Sequence, residues 1–458
     1  MMHPRRIQIL ILLVLFAAGA LVGCGKTIPP DTRPPEAWQS PSTAASATAA
    51  PFHAGIARVN IVPNHPLPLS GYGVYFGSMR TVRMSQGVHD PLYATALYFE
   101  KGPDKLAVIT YDLVGLVKGD VDAVREMVGR ELGIDPERVI VSSSHTHHGP
   151  DTVGLWGTLF PPKTGRDEAY MDFVKSQGVK ALRLAIQARR PAQLLVAVGE
   201  ETELHSNIRS ETDPNAPIDH ILTVLALKDQ NGKIFGTMTN WPCHPTTEGG
   251  DNRLISSDWV HYLRTELDKH YADAVHMYVN GAIGGAIQPR DKWRDEETGP
   301  DVEPFTWTEQ MGTCLGRKVA GLVEKAEPVP FERIEVRHAP VRAYNHNWAF
   351  DLGRDLKILA MHMPAEGEVF YSQVTAVKMG SLRWGTLPGE VMPDISNLAR
   401  AKLGGHAQIM VGLGQDWLGY VMLPKYYDDE RYAYEKLLCV GPEFGANLLK
   451  TYNELTFE

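Results

Sequence analysis

Residues 138–151 read Arg138-Val139-Ile140-Val141-Ser142-Ser143-Ser144-His145-Thr146-His147-His148-Gly149-Pro150-Asp151. The β-branched apolar start predicts a strand over Arg138–Ser142. It runs straight into a cluster of imidazoles. Positions two apart on an extended chain share a face, so His145 and His147 are expected to aim into one cleft. Imidazole is the commonest metal ligand, and three histidines within four residues are hard to explain by packing. The competing reading is a solvated polar loop. Ser142, Ser143 and Ser144 are read as strand-end structure.

Further strand-like runs lie on both sides: Tyr93–Glu100, Leu106–Tyr111, Gln193–Val198, Ile221–Leu227, Ile234–Asn240 and Val275–Val279. Each is short, apolar and bounded by turn-forming residues. Helical periods separate some of them. Val121, Val124, Val128 and Leu132 recur on one helix face, and longer helices are expected over Tyr170–Gln187, Ser257–His270 and Glu309–Glu324. Ser257 suits the third helix as N-cap, with Asp258 in its first turn. The paired runs at 93–111 and 221–240 suggest antiparallel neighbours. The expectation is an α/β fold with a large mixed sheet flanked by helices, rather than a strict barrel. From Ile334 to Tyr371 strand signals dominate, either as a subdomain or as further strands.

The 458 residues carry a net charge of −9, and the composition is that of a soluble globular protein. A basic excess is missing, which argues against nucleic acid as partner. With 4 cysteines, no disulfide framework holds the fold. The N-terminus has its own logic. Arg5 and Arg6 precede an apolar run from Ile9 to Val22, right for a signal peptide. The run ends in Leu21-Val22-Gly23-Cys24, which resembles the bacterial lipobox. The expected organisation is a lipoprotein signal peptide at 1–23, acylation of Cys24, a flexible Pro/Ser/Thr/Ala tether at 24–51, and one folded domain at 52–458. Gly25-Lys26 lacks the Asp that marks inner-membrane retention, which points to the outer membrane. Cys243, Cys314 and Cys439 are read as buried small hydrophobes.

Three other segments stand out. Asn240-Trp241-Pro242-Cys243-His244-Pro245-Thr246 puts a histidine between two prolines, a stiff setting suited to a ligand. Leu387-Pro388-Gly389-Glu390 leads a helix-like run and could be a helix-start charge. Trp417-Leu418-Gly419-Tyr420-Val421 offers a tyrosine that packing alone could explain. The remaining histidines, His205 and His220 among them, are scattered and read as ordinary.

In this order these segments resemble the catalytic domain of the zinc-dependent neutral ceramidases. The similarity starts at Ala54-Gly55-Ile56-Ala57-Arg58-Val59 and passes through Val88-His89-Asp90-Pro91-Leu92-Tyr93 and Asn207-Ile208-Arg209-Ser210. It reaches Trp417–Tyr420 and Tyr434-Glu435, covering most of residues 54–450. The resemblance implies zinc held by His145, His244, Glu390 and Tyr420, with His147 catalytic and Arg209 touching substrate. Small residues in the loop Asn280–Gly285 would let backbone N–H groups approach an oxyanion, so Asn280 and Gly281 join the substrate-binding set. The implied reaction is hydrolysis of an amide, such as the N-acyl linkage of a ceramide-like lipid, by attack of zinc-bound hydroxide. Three features depart from the family: its C-terminal immunoglobulin-like domain is not expected here, its Gly-Asp-Val-Ser-Pro-Asn segment appears as Gly284-Gly285-Ala286-Ile287-Gln288-Pro289, and the interval from Gly419-Tyr420 to Tyr434-Glu435 is longer. Two other readings are an envelope lipoprotein that binds a ligand on a degenerate hydrolase scaffold, and a barrel-type metal amidohydrolase.

Overall fold

The computed structural model describes residues 51–73, 82–290, 303–360 and 367–457. The expected signal peptide, Cys24 and all but the last residue of the expected tether lie outside them. Eight strands form the main sheet: β1 (Phe52–Asn60), β2 (Tyr93–Lys101), β3 (Asp104–Tyr111), β4 (Val139–Ser143), β5 (Arg190–Glu200), β6 (Ile221–Asp229), β7 (Ile234–Trp241) and β8 (Val275–Asn280). Their order is β8-β7-β6-β5-β1-β2-β3-β4, with the short β9 (Glu327–Pro328) added against β5. The β2/β3 and β6/β7 pairs are antiparallel, as the sequence suggests. The β3/β4 and β7/β8 pairs are parallel. The sheet is mixed and open, so a closed strand–helix barrel does not describe this chain.

The region after Ile334 makes a second sheet. β10 (Glu335–Tyr344), β11 (Val369–Met379), β12 (Leu382–Leu387) and β13 (Ala407–Gly412) pair in that order. Side chains alternate along each strand, and this period of two sorts the core into layers. Leu97, Phe99, Leu106, Val108 and Ile140 from the main sheet meet Val377, Met379, Leu382, Trp384, Ile409 and Val411 from the second. On the far side of the main sheet, Ala96, Ile109 and Val141 pack against α1 (Lys118–Leu132) and α2 (Glu168–Gln187). Leu222, Val224 and Tyr278 pack against α3 (Trp259–His270) and α4 (Thr306–Glu324). The outer face of the second sheet meets α5 (Pro393–Leu403) and α6 (Phe444–Glu454). The layers therefore run helix, sheet, sheet, helix, each burying the apolar face of the next.

The expected helices form, with α2 and α4 starting a little earlier, at Glu168 and Thr306, and the cap of α3 moving by one residue. Asp258, not Ser257, caps α3: its side chain accepts the Trp259 N–H, and its own φ is 58°. Ser257 instead donates its hydroxyl to Asp90 at 2.9 Å. The three cysteines of the folded part are free. Cys243 and Cys439 are buried and Cys314 is only half-buried. Among the described residues no helix is long and apolar enough to cross a membrane.

Candidate metal and active site

β4 ends at Ser143, two residues before the first histidine. His145 then takes a left-handed backbone conformation, φ 71°. That conformation costs about 1–2 kcal/mol for a residue with a Cβ, and it turns the chain sharply. The convergence of His145 and His147 therefore comes from this turn, and not from the extended alternation that the sequence suggests. Their ring centres are 4.9 Å apart. His244, just past the end of β7, lies 4.9 Å from His145 and 5.5 Å from His147. All three are buried, with ligand atoms within 4.8 Å of one another.

Glu390 enters from the second sheet's side. It sits in a two-residue strand, Glu390–Val391, ahead of α5 and outside the helix start. Its carboxylate faces both histidines: His145 Nε2 is 3.6 Å from Oε1 and His244 Nε2 is 3.4 Å from Oε2. Tyr420 lies beside it, because Glu390–Val391 pairs in parallel with Tyr420–Val421. That pairing needs Gly389, whose φ is 84° and where a Cβ would come within 2.6 Å of the Gly419 carbonyl oxygen.

The tautomers are decided by backbone carbonyls. His145 Nδ1–H donates to Val114 O, and His244 Nδ1–H donates to Ile287 O at 2.7 Å. With Nδ1 carrying that proton, the neutral tautomer of each ring turns an Nε2 lone pair toward Glu390. Two such lone pairs beside a carboxylate make a donor set that suits a cation. Burial, opposed by Glu390, pushes His145 down to about 4. Burial also pulls His147 well below its ordinary value, helped by His145 and His244. Burial works against the Glu390 charge, yet His145, His244 and Tyr420 together hold that carboxyl below its usual range. Burial, then the adjacent Glu390, drives Tyr420 well up, a direction that a bound dication would reverse. The donor set therefore fits a divalent metal held by His145, His244, Glu390 and Tyr420, with His147 close enough to be either a further ligand or a proton carrier.

His147 is placed by its backbone and by packing. Its carbonyl accepts from Arg83, and the Tyr72 ring meets it edge-on at 5.0 Å. Its Nδ1 is buried and has no hydrogen-bond partner among the described residues. Next to it, His148 points the other way, its Nε2 3.3 Å from Asp258 Oδ2.

Arg209 is half-exposed. Its Nε and Nη2 donate to Glu435 at 2.8 and 2.9 Å. Tyr434, next to Glu435, stacks edge-on to Tyr420 at 5.9 Å, which ties this pair to the ligand set. Asn280 and Gly281 find partners within the protein. Asn280 is fully buried; its amide donates to Ser144 O and Cys243 O at 2.8 and 3.1 Å, and its oxygen accepts from the N–H groups of Cys243 and Gly281. Gly284 N–H is likewise spent on Val391 O. Asn280 is the clasp between the two histidine loops, and its side-chain amide and the Gly281 N–H are both spent within the protein. The role that sequence reasoning missed belongs to Glu435. Its signal, a carboxylate next to a tyrosine, carries no meaning until Arg209 is beside it.

No family model matches the chain. Among curated proteins, it is 22% identical over 232 residues to the neutral ceramidase of Pseudomonas aeruginosa, a match covering 47% of this chain and 33% of that one. It is 24% identical over 246 residues to the neutral ceramidase of Drosophila melanogaster, covering 49% and 33%. It is 25% identical over 144 residues to neutral ceramidase A of Dictyostelium discoideum, covering 29% and 20%. These matches span a third or less of the relatives' lengths. Among solved structures, a crystal structure of the Pseudomonas aeruginosa neutral ceramidase superposes with a TM-score of 0.69 at 18% identity, covering 88% of this chain and 74% of that one. A ceramidase complexed with C2 gives 0.70, with the same identity and coverage. The chain has a neutral ceramidase-like fold.

Proposed function

We propose that the chain is a zinc-dependent hydrolase that cleaves an amide bond, the N-acyl linkage of a ceramide-like lipid being the substrate class that its relatives suggest. One observation carries this reading: two buried histidines, their tautomers set by backbone carbonyls, aim their free nitrogens at one buried carboxylate. Zinc held there would polarise a carbonyl and lower the pKa of water bound to it toward about 7. The protein's own groups do the rest. His147, buried at the edge of the ligand set, exchanges a proton with the reacting group. Arg209 holds a substrate oxygen through Nη1, the nitrogen that Glu435 leaves free.

Water is the nucleophile in this reading, with no acyl-enzyme. The segment that could supply a serine holds Ile287 and Gln288, and the Gln288 side chain accepts a bond from Thr246 Oγ1. Ser142, Ser143 and Ser144 are buried in and just beyond β4. The proposal extends to location: acylated Cys24 anchors the domain to the cell envelope, on the outer membrane.

The test is metal analysis of the purified chain, followed by turnover on N-acyl lipids, simple amides and esters. One zinc per chain is expected, and His244→Ala should hold none. Full occupancy in that variant removes His244 from the site. A burst of product with an acyl group left on any serine overturns direct hydrolysis by water.

A further inference from the structure

Two histidines that look ordinary in sequence form a relay behind the metal site. His205 is fully buried and stacks on Trp241, ring centres 4.6 Å apart at 27°. Its Nδ1 is 2.8 Å from the Pro242 carbonyl oxygen, and its Nε2 is 2.9 Å from His220 Nδ1. A carbonyl only accepts, so the His205 proton sits on Nδ1. Its Nε2 is then a lone pair, and His220 Nδ1–H must donate to it. The chain of donors runs in one direction: His220 to His205 to Pro242, two residues before His244.

The same segment reaches His244 from the other side. The strand His205–Asn207 pairs antiparallel with Ile287–Pro289, placing Asn207 opposite Ile287. Ile287 O accepts both the backbone N–H of His244, at 3.0 Å, and its Nδ1–H, at 2.7 Å. The side chain of His205 thus holds the peptide that leads into His244. Its backbone strand supports the carbonyl that turns the His244 ring. An aromatic hydrocarbon would stack on Trp241 equally well, so the imidazole is needed only for its two hydrogen bonds.

We propose that His205 is a positioning residue for His244, its tautomer set by the Pro242 carbonyl and its ring held in place by His220. This rests on the reading of His244 as a metal ligand. The experiment is a chelator-competition titration of zinc on the full chain, with the melting midpoint of each metal-free protein measured in parallel. His205→Phe keeps the stack and deletes both hydrogen bonds. It should weaken zinc binding about tenfold, the lower end of what a supporting group commonly costs, and leave the metal-free melting midpoint near that of the unmodified protein. His205→Asn, which returns an N–H close to the Nδ1 position, should recover most of the affinity. Wild-type affinity in H205F overturns the proposal. So does affinity lost only together with the metal-free fold and not recovered in H205N. Should H205F fail to fold, His220→Phe carries the test. A drop in zinc affinity of about threefold supports the relay, and unchanged affinity overturns it. Unmodified protein that takes up no zinc refutes the metal site itself, a result separate from any difference among the variants.

Discussion

The buried carboxylate of Glu435 grips Arg209 along one edge, Nε to Oε1 at 2.8 Å and Nη2 to Oε2 at 2.9 Å, across 226 residues of sequence. A guanidinium fixed this way cannot swing, and its remaining nitrogen, Nη1, is presented in one orientation. Glu435→Gln breaks the paired geometry and leaves Arg209 free to move. Hydrogen bonds to charged groups are worth about 1.5–3 kcal/mol, so kcat/KM should fall about tenfold or more while zinc content stays at wild type. Arg209→Ala should cost a similar factor, and the double variant little beyond either single one. Full additivity in steady-state kinetics would show that the two residues act separately.

The backbone at Gly71 has φ 101°, and a Cβ there would lie 2.1 Å from His147 Cγ. Gly71→Ala must therefore displace the His147 ring. If His147 carries a proton, this variant and His147→Ala should both keep zinc and lose turnover by about 10²–10⁴-fold. Zinc lost in both would instead make His147 a third histidine ligand. Metal content beside single-turnover rates decides between them.

Asp416 is buried, with Lys118 N–H donating to Oδ1 at 2.8 Å and Ser372 Oγ 2.8 Å from Oδ2. Burial, only partly offset by Ser372 and Lys118, raises this carboxyl to about 7. The unfolded chain loses the same proton near 3.9. Between these values the native state binds more protons than the unfolded one, so this group's contribution to stability is fully present below about pH 4. It is lost as pH rises toward 7, by about 1.4 kcal/mol per unit. Asp416→Asn should lack that slope and gain on the unmodified protein between pH 4 and 7. Denaturant melts of the metal-free chain across that range measure it; a constant difference would mean that Asp416 is already ionised at low pH.

Acylation of Cys24 requires its thiol. Cys24→Ser should leave the protein unprocessed or release it from membranes, while the catalytic variants above keep their location. Fractionation after expression reads this directly, and a mature, membrane-bound C24S protein would end the lipobox reading.

Much of the architecture is legible along the chain. The short apolar runs at 93–111 and 221–240, each broken by a turn, announce antiparallel pairs, and they form them. Val121, Val124 and Val128 mark the buried face of α1. The second sheet is harder to see. β12 and β13 pair in parallel across α5, and nothing local in Leu382–Leu387 says which strand will lie beside it.

The histidine cluster at 145–148, the proline-flanked His244, and the order of the matching segments are properties of the sequence, since each depends on residue type and spacing within a few positions. Which nitrogen of His145 or His244 is free depends on Val114 and Ile287, distant carbonyls that only folding brings near. The same is true of Asn280, whose side-chain amide is spent between the two histidine loops. Glu435 and His205 acquire meaning only through Arg209 and Pro242. Local sequence sets backbone preference and apolar period because those arise from neighbouring atoms. Hydrogen-bond partnership across the fold arises from the packing of two sheets and their helices, and it decides which polar groups remain free for chemistry.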